Sequence, residues 1–227
     1  ACYTKFVAHL RGFLLGATAG RTTLSGEGLQ HQDGHSQLVA NTVPNLLAYD
    51  PCYAYELAVI IRDGLKRMID QNQDVFYYLT LYNENYVMPA KPEAIDEGIL
   101  RGMYRLKAAP GGEHRAQLFG SGTLLHAALA AQQILAERYH VAADVWSITS
   151  YQQLYRDGRA TERWNRLHPT SAPKKPYVAQ ALDGFDGPVI ATSDWIQELP
   201  SLVSRFIPRP FYPLGANGFG RSDTREV

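Results

Sequence analysis

The chain has 227 residues, is 45% hydrophobic and 19% charged, and sets 22 basic against 22 acidic side chains for a formal net charge of zero. This is the profile of one globular domain or two small ones, with enough chain to bury a core without disulfide staples. Balanced charge removes the usual footprint of a nucleic-acid binder and gives no reason to expect attachment to an anionic membrane.

No apolar run approaches the roughly 20 residues of a membrane span. The cysteines, Cys2 and Cys52, form neither a metal-ligand spacing nor a disulfide framework, which points to a reducing cytoplasm. The opening, ACYTKFVAHLRGFLLG, is apolar but carries Lys5, His9 and Arg11 with no cleavage pattern after it, and reads as an interior helix or strand. A start without Met, and an end at Arg225-Glu226-Val227 without a tail signal, suit a piece of a longer protein.

Residues 20–41 are polar, contain Gly26, Gly28 and Gly34, and show neither a helical nor a strand period. A loop of that length in a compact domain is functional or disordered. Residues 43–49 read as a short buried strand. Asp50-Pro51 predicts a helix start, with Asp50 as the cap and Pro51 in the first turn. Leu57, Ile60, Ile61, Leu65 and Met68 then fall on one helical face. Residues 75–82 predict a central strand, ending at Asn83-Glu84-Asn85-Tyr86. Met88-Pro89-Ala90-Lys91-Pro92 reads as a linker, placing a domain boundary at residues 89–92.

The α/β rhythm then restarts. Residues 94–106 predict a helix and a short strand, 116–119 a strand ending at Gly120-Ser121-Gly122, and 124–139 a helix. Residues 143–150 predict a strand, 151–167 a mostly polar helix and 188–192 a strand. Asp194 is expected to cap a helix running to Phe206, divided at Pro200. A last strand is expected at 211–214. Such alternation predicts an α/β fold, with parallel or mixed sheets covered by helices.

Several residue groups could carry chemistry. His31-Gln32-Asp33-Gly34-His35 has the spacing of a zinc-peptidase helix, but Gln32 stands where that motif needs a glutamate, and the glycines disfavour a rigid helix. The choice left is between ordinary loop histidines and a site imidazole that exchanges a proton near neutral pH. Gly120-Ser121-Gly122 could hold an anion at a helix N-terminus, although close packing explains such a turn better. Glu84, beyond a strand's carboxyl end, either orients a site or completes a polar turn. The mixed charges of Arg156 to Asn165 read as a solvated helical face with Trp164 on a packed side. Gly215 to Asp223, with Phe219, reads as a structured loop suited to a subunit contact.

Six segments together resemble the homodimeric bacterial pyruvate dehydrogenase first component, and they occur in that family's order: GRTTLSGEGLQHQDGHS, YDPCYAYELAVIIRDGLKRM, LYNENYVMPAKPE, LFGSGTLLH, RDGRATERWNRLHP and GANGFGRSDTRE. The resemblance implies that residues 1–88 are the latter part of the domain that binds the thiamine pyrimidine ring. It implies that 89–92 are a linker and that 93–227 form a transketolase C-terminal-like domain. It implies decarboxylation of pyruvate on thiamine diphosphate with Mg²⁺, reductive acetylation of a lipoyl group on the acyltransferase component, a homodimer and a cytoplasmic location. No nucleic acid and no membrane enter that activity.

His31 matches the family's active-site histidine, with hydrogen bonding and proton transfer to the substrate oxygen as its implied role. His35 follows as a neighbouring partner or loop anchor. The Gly-Asp-Gly and Asn signature for diphosphate and Mg²⁺ is absent, as is the cofactor-activating glutamate. The residues that anchor the cofactor are therefore expected outside this chain, no metal site is expected within it, and the chain alone is expected to be inactive. Two other readings are a non-catalytic dimerisation or complex-docking module, and a related thiamine enzyme of the transketolase or 2-oxo acid dehydrogenase type.

Overall fold

The computed structural model describes residues 11–16, 19–24, 28, 31–82 and 84–219. The expected helix or strand before residue 11, Gly26 of the glycine-rich loop, Asn83 and the end of the last loop, Gly220 to Asp223, lie outside them. The described residues form two parallel-rich sheets, one of three strands and one of five.

The smaller sheet runs β1 (Phe13–Gly16), β3 (Phe76–Thr80), β2 (Leu46–Tyr49), all parallel, with β3 central as its β-branched and aromatic sequence predicts. A short helix α1 (Ser36–Ala40) precedes β2, and α2 (Ala54–Leu65) follows it and continues as a π-helical turn over Lys66–Asp70. Helix α2 begins three residues later than the sequence suggests, because Glu56, not Asp50, provides the cap. The Glu56 carboxylate accepts the N–H groups of Cys52 (2.6 Å) and Tyr53 (2.9 Å). Val59, Ile60 and Met68 bury the helix's inner face on Leu47, Tyr77 and Leu79, whereas Leu65 stays 45% exposed.

The segment 89–92 has no regular structure; residues 89–91 are exposed and Pro92 is half-buried. After it come α3 (Asp96–Arg101) and β4 (Met103–Lys107), then β5 (His114–Gly120), α4 (Leu124–Tyr139), β6 (Val141–Ile148), α5 (Tyr151–Leu167), α6 (Tyr177–Ala181), β7 (Val189–Ile196), α7 (Glu198–Ser201) and β8 (Phe211–Ala216). The strand order is β4-β6-β5-β7-β8, with only β4 antiparallel. Ser150 caps α5, its Oγ accepting from Gln153 N–H at 3.0 Å. One face of this sheet packs Phe119, Trp146, Ile148 and Ala191 under α5, α6 and α7. The other packs Ala116, Leu118 and Val145 under α4.

The helix expected from Asp194 to Phe206 does not form as one element. Strand β7 runs through Asp194 to Ile196, and only α7 and a 3₁₀ turn at Ser204–Phe206 follow. Four residue steps of β7, from Thr192 to Ile196, match two of β8, from Leu214 to Ala216. This bulge lifts Ser193, Asp194 and Trp195 out of the ladder. Among the described residues no helix is long and apolar enough to cross a membrane.

Candidate functional site

The sheets meet through the carboxyl ends of their strands. Asp50, the residue after β2, donates its N–H to Thr149 O beyond β6 (2.8 Å), and its carbonyl accepts from Gly122 N beyond β5 (3.2 Å). Carboxyl ends are where α/β sheets present ligand-binding loops, and here the loops of two sheets converge.

The Asp50 side chain closes this junction. It is 5% exposed and accepts from Thr80 Oγ1 (2.5 Å), from Tyr82 Oη and from Trp195 Nε1 (2.8 Å). Burial raises its proton affinity above the ordinary carboxylate range; the three donors oppose that rise and the nearby Asp194 adds to it. Asp50 and Asp194 both read from sequence as helix caps. In the structure neither caps a helix, and both join the two halves.

The glycine-rich loop leaves the carboxyl end of β1 and lies against the second sheet. Asp194 accepts from the N–H groups of Arg21 (2.8 Å) and Thr22 (2.9 Å) and from Thr22 Oγ1 (2.8 Å). Arg21 Nη2 donates to Gly218 O at 2.8 Å, and its guanidinium passes so close to Gly34 that a Cβ there would sit 2.5 Å from Nη2. Asp33 ends the loop by accepting the N–H groups of His35 (2.9 Å) and Ser36 (3.0 Å) and the Ser36 hydroxyl. The Ser36 hydroxyl also meets Tyr78 Oη at 2.7 Å.

Between these anchors His31 is exposed, fixed by its own backbone: its N–H donates to Gly28 O (3.0 Å) and its carbonyl accepts from Asp33 N (2.9 Å). His35 lies half-buried with its ring 5.5 Å from that of Phe219, so the two glycine-rich loops named from sequence touch. One imidazole thus faces solvent and the other packs on a ring at the loop base.

Glu84 lies in a different cluster. It accepts from Tyr86 Oη at 3.0 Å, and the Tyr86 ring sits 4.4 Å from that of His126 on α4. Burial lowers the proton affinity of His126 and Glu84 partly restores it. Cys52 Sγ lies 3.5 Å from His126 Nε2, and burial pushes the Cys52 thiol up, away from thiolate chemistry.

The turn Gly120-Ser121-Gly122 is a packing turn. A Cβ at Gly120 would sit 2.6 Å from Leu125 Cα, and Ser121 N and Gly122 N already donate to Thr192 O and Asp50 O. In α5, Arg156 turns inward to Leu46 O (2.9 Å) and Val43 O (2.8 Å). Trp164 lies between the His168 ring (4.4 Å) and Lys174 Nζ (3.9 Å). That segment is therefore partly a tie between the sheets, not only a solvated face. Among the described residues no three His, Cys, Asp or Glu side chains converge on a point that could hold a metal ion.

Sequence reading missed the junction of Asp50, Thr80, Tyr82 and Trp195. Its one local signal was an aspartate directly after a buried strand, which a helix cap explains equally well.

The family profile described as the pyruvate dehydrogenase E1 component middle domain matches residues 3–89, and the transketolase-like C-terminal domain profile matches 102–227. The chain is 53% identical over 221 residues to the pyruvate dehydrogenase E1 component of Pseudomonas aeruginosa, covering 96% of the chain and 25% of that relative. It is 49% identical over 227 residues to the Escherichia coli protein of the same name, covering 99% of the chain and 25% of the relative. The chain thus spans about a quarter of the length of the relatives it matches. Among solved structures, the transketolase of Campylobacter jejuni superposes with a TM-score of 0.67 at 16% identity, over 99% of this chain and 30% of that one. That of Leishmania mexicana gives 0.66 at 15%, over 99% and 28%. At such identities these two speak for the fold alone.

Proposed function

The chain belongs to the pyruvate dehydrogenase E1 component family, and from that premise we propose that it is part of a subunit that decarboxylates pyruvate and reductively acetylates a lipoyl group of the acyltransferase component. In this reading residues 1–88 contribute to the middle domain, 89–92 link, and 93–227 form the C-terminal domain. The working protein is a cytoplasmic homodimer. The exposed apolar side chains Tyr212 (56%) and Leu214 (53%) on edge strand β8, with Phe219 (84%) beyond it, favour the subunit contact.

The cofactor of this reading is thiamine diphosphate with Mg²⁺, which supplies the electron sink for loss of carbon dioxide. The described residues do not fit its diphosphate and metal. None converge into a cation site, and the glycine turn that could cradle a phosphate has the N–H groups of Ser121 and Gly122 committed to carbonyl oxygens. We assign that anchoring to residues outside this chain. The chain's own contribution is His31, which hydrogen-bonds the oxygen derived from the 2-oxo group of pyruvate and transfers a proton to it.

The observation that carries this assignment is the placement of His31: exposed, on a loop from the carboxyl end of β1, and held where the carboxyl edges of both sheets meet. The test is His31→Ala in the complete enzyme. Turnover of pyruvate with an artificial electron acceptor should fall by about 10² to 10⁴, the worth of a positioned proton donor, while thiamine diphosphate affinity stays nearly the same. An unchanged rate would remove His31 from the mechanism.

A further inference from the structure

We infer that Asp194 is the positioning residue for His31, acting from the second sheet on a loop that belongs to the first. The inference rests on the assignment of His31 above.

Asp194 is 7% exposed, and both of its carboxylate oxygens are engaged: Oδ2 takes the N–H groups of Arg21 and Thr22, and Oδ1 takes the Thr22 hydroxyl at 2.8 Å. Two residues along the same strand, Ile196 N donates to Gly34 O at 2.9 Å. One short stretch of β7 therefore holds the loop on both sides of His31, before it at Arg21 and Thr22 and after it at Gly34. Gly20, at φ +74°, brings the backbone so close that a Cβ there would collide with the Asp194 carboxylate.

The clamp is itself anchored. Asp194 stands in the bulge of β7, and its neighbour Trp195, fully buried, donates from Nε1 to Asp50 at 2.8 Å. The bulge cannot shift without extracting an indole from the junction. Backbone N–H groups aimed at a fixed carboxylate leave the loop little freedom at its base. An exposed imidazole on an otherwise glycine-rich loop needs such fixing, because a misplacement of about 1 Å costs on the order of 10² in rate.

A merely structural aspartate would also bind these N–H groups, so the test is a double-mutant cycle in the complete enzyme. Asp194→Ala should lower kcat by about 10- to 100-fold with little change in KM for pyruvate. In the His31→Ala background the same change should cost less than about twofold, since an interaction acting through His31 has nothing left to lose. Asp194→Asn, which keeps an acceptor oxygen, should recover most of the rate. Thr22→Val, which removes only the hydroxyl donor, should show the same non-additivity on a smaller scale, and it carries the test if Asp194→Ala does not fold. Hydrogen exchange gives a readout independent of activity: the Arg21 and Thr22 amides should exchange at least about tenfold faster in Asp194→Ala, with the amides of β5 and β6 unchanged. Equal rate losses in both backgrounds, or unchanged exchange at Arg21 and Thr22, would overturn the inference. Full activity of His31→Ala beside accelerated exchange in Asp194→Ala would overturn the role of His31 and leave Asp194 as a loop anchor only.

Discussion

Asp50 and Asp194 are both nearly buried carboxylates at the meeting edges of the sheets, but their donors differ in kind. Asp50 is enclosed by core side chains, Thr80 and Tyr82 from the first half and Trp195 from the second. Asp194 is enclosed by the backbone and hydroxyl of a loop. A carboxylate bonded to core side chains fixes how two packed bodies sit together. One bonded to loop amides fixes where the loop sits on a body already folded. The first should be felt in stability and the second in rate.

The largest effect should therefore come from Asp50→Ala. It strands the Tyr82 hydroxyl and the Trp195 indole N–H in the core, each at about 1–3 kcal/mol and about 2–6 kcal/mol together, while the Thr80 hydroxyl keeps Tyr49 O as its acceptor. Urea unfolding should show a loss in that range, with Asp194→Ala losing about 1–2 kcal/mol because loop N–H groups can turn to water. Comparable losses for the two variants would break the distinction.

Gly122→Ala comes next. Gly122 has φ +50°, and a Cβ would run into the Tyr82 side chain and stand 2.9 Å from Asp50 Oδ2. The backbone strain alone is of order 1–3 kcal/mol. Part of the collision is with the Tyr82 hydroxyl, so Tyr82→Phe combined with Gly122→Ala should cost less than the sum of the two, measured as a coupling energy in thermal unfolding. Strict additivity would mean that the turn does not bear on the junction.

What the sequence makes legible here is local, and what it hides is the meeting of the sheets. The helices at Leu124–Tyr139 and Tyr151–Leu167 follow their sequence bounds, because long periodic segments state their own structure. Strand β3 was readable from its β-branched and aromatic run. Asp50 and Asp194 were misread for a physical reason: an aspartate at an element boundary has the same local signature whether it caps the next helix or reaches across the fold, and only the partner's position decides. The β7 bulge was equally hidden, since the ladder it interrupts pairs residues about twenty positions apart, Thr192 with Leu214. His31 was marked by loop composition and resemblance. Its anchors on β7 were not, because they lie more than 160 residues away and belong to no shared motif.

The smallest effects come from charge alone and should differ in sign between the junction and the surface. Burial holds the folded-state proton affinity of Asp50 above its unfolded value, so the native state binds the extra proton and is favoured at low pH. As pH rises from about 3.9, the ordinary aspartate value, toward the raised folded value, that contribution is lost. Asp50→Asn should remove this segment of the stability–pH curve. Glu56, buried and shifted in the same direction, should retain its own.

Asp96 is the opposite case and the control. Lys91 (2.6 Å) and Arg62 (2.5 Å) pair with it at the surface and hold its carboxyl below the ordinary range. Its contribution is present above about pH 3.9 and is lost as pH falls. Because its side chain is 36% exposed, salt screens it, and Asp96→Asn should cost no more than about 1 kcal/mol, shrinking toward zero in 1 M salt. Acid titrations of the two variants by chemical denaturation should therefore bend in opposite directions. If Asp50→Asn instead bent the same way as Asp96→Asn, its hydrogen bonds would outweigh its burial, and the junction would be held by an ionised carboxylate rather than one that burial inclines to keep its proton.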